Sequence, residues 1–570
     1  MAFEKELQAY HDNLPKPLSK AQYQELTPFR GLAFFDSEHA PFFYGRTKAV
    51  EELLNLLQQQ AAEKKPFVLV LGPNGCGKTS LVRAGILPVL SRVGITEGNR
   101  AWRLALTRPG DGGAGDPFDA LAAALLKESA LPELPDAATR DGWQKLAAEL
   151  REAPEDAALR IGETLQYLSV QALDHLLDEH EASPADPERS AKRQNRPGRI
   201  ESKIQLALVV DQLEELFVGG FSPELQQSYI AALGALVKWR AVFVIATLRS
   251  DFHEPFQKCC RPKDLTVVNQ PEICVRDFDL SQVLTGRFDL QPPSPQEIRD
   301  MICLPAEATG LRFEIDPETG QSLDAALLEA ATSQPEPLPL LEHLLWQLYR
   351  KQLPRKDGLL RWSDYRELGE LEGALANHAE SVFLALDGDA QAALRPVIRQ
   401  LVSPGPGEEG VLLRRTVLYR DLVSTPESSG RQKTVAEGVI DRFINEGLFH
   451  AEKTGPNAEV VVSIPQECLL RNWPRVWQLL KEDLRLLRAR DQLEPNFKLW
   501  LNGGRRSQDL LGTGSSIREA KALLRGFQAS LSESQVDYLQ RSLKAQNRRR
   551  RVRIAVVLAV FAGLIAPVTI

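Results

Sequence analysis

The sequence has no basic excess, no cysteine framework and no secretory opening. Its 69 Lys and Arg are outnumbered by 76 Asp and Glu, a net charge of −7. That argues against a general nucleic-acid binder, whose domains tend to be basic. Cysteine occurs only at Cys76, Cys259, Cys260, Cys274, Cys303 and Cys468. These show neither metal-ligand spacing nor a dense disulfide pattern, so a reducing compartment fits. Residues 1–26 are polar and mix both charges, unlike a signal peptide. What remains is a globular composition, 43% hydrophobic and 25% charged. A chain of 570 residues holds several domains at about 100–200 residues each.

The chain end differs. Ile554–Ile570 carries no charge and follows Arg548, Arg549, Arg550, Arg551 and Arg553. As a helix it rises about 25 Å, near the lower limit for a ~30 Å hydrocarbon core. The arginines set a cytoplasmic side and suit anionic headgroups. The expectation is a single-pass helix in the inner (cytoplasmic) membrane, with lipid as a partner. A buried core helix is the alternative. No polar residue follows the run, so a truncated product is expected.

Residues 1–26 read as an N-terminal arm. Short apolar runs alternate with helical patterns up to residue 292: "FVLVLG", "AWRLALTRPG", "IQLALVVDQLEELF", "RAVFVIATLRSDF" and "GRFDLQPPSPQEI". Such alternation predicts an α/β fold with a parallel sheet covered by helices on both faces. Residues 183–202 lack apolar residues and read as a disordered loop. Helical patterns dominate 293–385. Residues 386–466 mix helices with a hairpin-like stretch and suggest a winged-helix domain. Residues 467–547 read as helical, before the basic stretch and apolar helix of 548–570.

Gly72-Pro73-Asn74-Gly75-Cys76-Gly77-Lys78-Thr79 fills every fixed position of G-x-x-x-x-G-K-[ST], with an apolar strand before it and a helix after it. Backbone amides of such a loop close around phosphates, and the helix that starts at Lys78-Thr79-Ser80 presents its positive end. Lys78 is placed to reach the β and γ phosphates and Thr79 to ligate Mg²⁺. "LALVVD" ends a buried-type strand in Asp211, the second Mg²⁺ residue. Gln212 follows, where many ATPases carry a catalytic glutamate. Glu214 and Glu215 are the candidates to orient the attacking water. Arg249, at the tip of the next strand, can sense the γ-phosphate. Cys76 inside the loop fits a small-residue position better than a redox sensor.

With these residues in hand, the chain resembles STAND-class P-loop NTPases, specifically the novel STAND NTPase 1 family. The resemblance covers roughly 26–553. It rests on "TPFRGLAFFDSEHAPFFYGR", "GPNGCGKTSLVRAGILPVL", "VVDQLEELF", "ATLRSDF", "LPLLEHLLWQLY", "GALANHAE" and "LLRNWPRVWQLLKEDLRLLR". It implies that Tyr44, Gly45 and Arg46 pack near adenine and that Pro339 closes over the base. It implies a signalling ATPase, closed with ADP and open with ATP, that assembles into homo-oligomers. Sensor or effector proteins are the implied partners, and bacterial defence or stress signalling the implied setting. One departure stands out. Gln466 occupies the place of a histidine that contacts the ADP phosphate in related switches. A weaker resting state is expected; Gln466→His should slow ADP release, and unchanged release would count against this. In this family the winged helix is expected to act as a lid, not a nucleic-acid reader. The alternatives are a motor ATPase for transport or remodelling and a nucleotide-bound scaffold without turnover.

Overall fold

The computed structural model of the chain describes residues 27–565, apart from 93–100, 112–115, 140, 182–203, 219, 240, 261–283, 406–411, 424–429, 455–458 and 513. The expected N-terminal arm, the expected loop at 183–202 and Cys274 lie outside the described residues. The described chain forms two compact units. One comprises mainly residues 27–217 and 223–377, the other mainly 218–222, 378–453 and 459–565.

The first unit carries the expected α/β sheet. Strands β1 (Phe67–Gly72), β2 (Ala101–Thr107), β3 (Ile204–Val210), β4 (Val242–Arg249) and β5 (Gly286–Asp289) are all parallel, in the order β2-β3-β4-β1-β5. Every residue of β1, β3 and β4 is buried. Helices cover both faces of such a sheet, so its central strands read as unbroken apolar runs rather than alternating ones. Val68 and Val70 of β1 share a core with Leu53, Leu54 and Leu57 of the helix Thr47–Ala62 and with Ile245 of β4. Register places Gly72 opposite Arg249 and Val210 opposite Ala246. The carboxyl ends of β3, β4 and β1 therefore lie side by side, at the edge where open α/β sheets bind ligands.

The same unit continues into helices. Ser294 Oγ accepts from the Glu297 amide at 3.3 Å, and the Glu297 carboxylate accepts from the Ser294 amide at 2.7 Å. This capping box, with Pro295 at the first helical position, opens Pro295–Thr309; left-handed Gly310 closes it. Helices Leu323–Thr332, Pro337–Gln352 and Trp362–Leu368 follow.

The second unit contains helix Gly388–Gln400, the antiparallel pair Val402–Pro404 with Leu412–Arg414, and a three-stranded sheet of Val417–Leu418, Glu459–Ser463 and His450–Thr454. The long helices Pro474–Asn502, Ser515–Gly526 and Glu533–Ile565 complete it. A buried ionic centre joins its elements. Asp483 accepts from Arg399 at 2.7 and 2.6 Å and from Arg395 at 3.2 and 3.0 Å. Burial alone would raise the Asp483 carboxyl, but the bonds from Arg399 and Arg395 hold it below its ordinary value. Arg490 donates to the carbonyls of Arg399 and Val402, each at 2.6 Å.

The expected single-pass membrane location is overturned. No helix among the described residues is long and apolar enough to cross a membrane. The last helix, Glu533–Ile565, is polar along most of its length and includes the arginines 548–551 and 553. Its apolar part begins at Ile554 and reaches Ile565, a rise of about 18 Å, well short of a ~30 Å hydrocarbon core. Residues 566–570, on which the longer span depended, lie outside the described residues.

Candidate functional site

The glycine loop leaves β1 at Gly72 and enters its helix at Lys78. Gly75 and Gly77 have φ of 71° and 92°, left-handed values that glycine adopts without a Cβ penalty. The turn brings Lys78 Nζ within 3.0 Å of the Gly72 carbonyl and 2.8 Å of the Pro73 carbonyl. Lys78 is thus held inside the loop, 8% exposed. Cys76 is buried, its sulfur 4.0 Å from Lys78 Nζ. The helix continues as Lys78–Ser80, a π-helical stretch Leu81–Ile86, and Leu87–Arg92. Single π turns inside helices recur at functional sites.

Asp211 follows β3 and is 1% exposed. Its Oδ1 accepts from Thr79 Oγ1 at 2.9 Å and from Thr247 Oγ1 at 2.7 Å. Its Oδ2 has no hydrogen-bond partner among the described residues. An Nη of Arg83 lies 3.4 Å from that oxygen, and a buried carboxylate beside a hydroxyl is a hard-oxygen donor set that fits Mg²⁺. No group of three or more His, Cys, Asp or Glu among the described residues could hold a metal ion. A phosphate-bound Mg²⁺ needs no such group, since phosphate oxygens and water supply most ligands.

The acids after Asp211 are tied to backbone. Glu214 accepts from the Arg249 amide at 3.2 Å, and Glu215 from the Gly110 amide at 2.8 Å. Gln212 has φ of 55°, and its amide donates to Thr247 Oγ1 at 2.7 Å. The Arg249 guanidinium is held by Asp251 at 3.1 and 2.8 Å.

Around the loop, Arg46 donates to the Cys76 carbonyl at 3.0 Å and to the Gln291 carbonyl at 3.1 Å. It braces the loop from behind. Burial pulls its guanidinium below the ordinary value, opposed by Glu297. Gly45 packs against the start of Pro295–Thr309; a Cβ there would sit 2.4 Å from the Glu297 carbonyl. The Tyr44 amide donates to the Phe42 carbonyl at 3.1 Å. Helix Pro337–Gln352 begins on the loop. A Cβ on Gly75 would lie 3.1 Å from Pro339 Cγ, and one on Gly77 3.7 Å from Leu338 Cδ1. The Arg30 amide donates to Glu342 of that helix at 3.3 Å. Burial pushes the Glu342 carboxyl up to about 8, against the pull of Arg30.

The first unit therefore assembles residues 72–80 with Tyr44, Gly45, Arg46, Asp211, Glu214, Glu215, Arg249 and Pro339. Gln466 belongs to the second unit, where its carbonyl accepts from the Leu469 amide at 3.2 Å. Ser80 faces inward: its Oγ accepts from the Phe35 amide at 3.1 Å. Two residues escaped the sequence reading. Thr247 sits within "VFVIATLR", and its only sequence signal is a hydroxyl in an otherwise apolar run before Arg249. Arg83 looks like an ordinary helical arginine but is 2% exposed.

The Novel STAND NTPase 1 family model matches residues 28–508, most of the chain. The chain belongs to that family. Membership of this P-loop NTPase family supports ATP binding. No curated protein matches the sequence. Among solved structures, the chain aligns with the ORC2 protein of Aeropyrum pernix at 11% identity, covering 78% of this chain and 95% of that one, with a TM-score of 0.39. The Walker-type ATPase of Pyrococcus abyssi aligns at 11% identity over 77% and 97%, with a TM-score of 0.37. Cdc6p of Pyrobaculum aerophilum aligns at 12% identity over 77% and 94%, with a TM-score of 0.29.

Proposed function

We propose that the protein is an ATP/ADP-operated conformational switch that hydrolyses ATP slowly and assembles into a homo-oligomer in its ATP form. Lys78 exchanges its two loop carbonyls for phosphate oxygens. Thr79 and Asp211 would hold Mg²⁺, which would supply charge neutralisation for the phosphates. Arg46 keeps the loop shaped, and Pro339 with Leu338 closes helix Pro337–Gln352 over it. Arg249 reports the γ-phosphate from the end of β4. ATP shifts the closed-open equilibrium only as far as it binds the open state better.

The observation that carries slow turnover is the placement of acids beyond Asp211. Gln212 is not a base, while Glu214 and Glu215 each accept a backbone amide. Each glutamate has one acceptor site taken by a backbone amide, which restrains it as a water-orienting group. Of the two, Glu214 is the better candidate, because its partner is the amide of Arg249 itself. The test is steady-state ATP hydrolysis by the full chain. A rate below about 1 s⁻¹, the low end of ordinary enzymes, supports the switch. Rapid turnover by an assembly that persists with ADP points instead to a motor.

A further inference from the structure

Arg83 lies in the π-helical stretch, five positions past the P-loop lysine, and its guanidinium sits between two carboxylates. One Nη is 3.4 Å from Asp211 Oδ2 and the other 3.3 Å from Asp36 Oδ2. The ring of Phe34 lies 4.2 Å below its Cζ. The segment that supplies Asp36 and Phe34 is fastened to the same helix. Ser37 Oγ donates to the Arg83 carbonyl at 3.0 Å, and the Phe35 amide donates to Ser80 Oγ at 3.1 Å.

We propose that Arg83 is a positioning residue that competes with the divalent cation for Asp211, and that Asp36 on the N-terminal segment sets how strongly it competes. This rests on the nucleotide-site reading above. A buried guanidinium needs a carboxylate partner. When a divalent cation takes Asp211, Arg83 meets like charge on that side and leans on Asp36 instead. The Phe34 face keeps the guanidinium in place during the exchange. Cation occupancy at Asp211 and attachment of residues 34–37 are then linked. Linkage is reciprocal, so whatever displaces that segment also changes cation affinity.

The test is a Mg²⁺ titration of fluorescent ADP bound to the full chain, with binding in EDTA as the reference. Arg83→Gln removes the competitor. Asp36→Asn removes the alternative partner, and asparagine still caps the following 3-10 helix. The two variants should move Mg²⁺ affinity in opposite directions: Arg83→Gln tighter and Asp36→Asn weaker, each by about fivefold or more. ADP affinity in EDTA should change much less. Asp36 is 43% exposed, so its variant stays readable if Arg83→Gln does not fold. Shifts of one sign, or an unmoved Asp36→Asn, overturn the inference. ADP binding that Mg²⁺ does not alter in the unaltered chain overturns this inference alone, whereas absence of ADP binding with or without Mg²⁺ overturns the nucleotide-site reading.

Discussion

Thr79 Oγ1 donates to Asp211 Oδ1 across 2.9 Å, joining the first turn of the P-loop helix to the end of β3. In the proposed switch these are the two side chains that would share Mg²⁺. Asp211→Asn keeps the shape and removes the charge. ATP hydrolysis should fall by about 10²–10³-fold, as when one preorganised electrostatic group is lost. Nucleotide binding in EDTA should persist. Hydrolysis unchanged in Asp211→Asn would remove this residue from the reaction.

Lys78 donates to two loop carbonyls, so its loss costs loop stability as well as nucleotide affinity. Lys78→Ala should weaken ATP by about 10–100-fold, the value of one or two charged hydrogen bonds. Isothermal titration together with a melting curve separates the two effects. A large fall in melting temperature with unchanged affinity would contradict the assignment.

Gly75 joins left-handed geometry to close contact with the overlying helix. Gly75→Ala should cost about 1–2 kcal/mol from φ alone, and its Cβ would press on Pro339 at 3.1 Å. Pairing it with Pro339→Ala should recover part of the lost nucleotide affinity. No recovery would mean that the backbone, not the helix contact, sets the loss.

Asp483 offers a pH test in the second unit. Its folded carboxyl lies below the ordinary value, so the stability it contributes is present above the unfolded value of about 3.9. That stability is lost as pH falls through the lower folded value. Asp483→Asn removes the charge paired with Arg399, while Arg395 keeps Glu482 at 3.3 Å, and should destabilise the unit by about 3–5 kcal/mol at neutral pH. The gap from the unaltered chain should narrow as the pH drops below about 4. Denaturant melts at several pH values measure it; a gap independent of pH would assign the loss to packing.

Much of the first unit was legible in sequence because its signals are local. The runs "FVLVLG", "LALVV" and "VFVIATL" are apolar because both sheet faces are covered, and the loop glycines are fixed by backbone geometry. Thr247 and Arg83 were not legible, because each matters through a partner 36 or 128 positions away. The tethers on Glu214 and Glu215 likewise depend on amides of β4 and of the segment after β2. The tail misled because absence of charge over 554–570 was read as one continuous span. Among the described residues the apolar part runs only from Ile554 to Ile565, too short for a hydrocarbon core.

The central claim is that this P-loop operates a switch. The most direct measurement is the nucleotide carried by protein purified without added nucleotide, with particle mass and hydrolysis rate followed before and after exchange into ATP. Bound ADP in a monomer, slow turnover and assembly on ATP are predicted. Rapid turnover from an already assembled particle, or ADP that neither exchanges nor turns over, would contradict it.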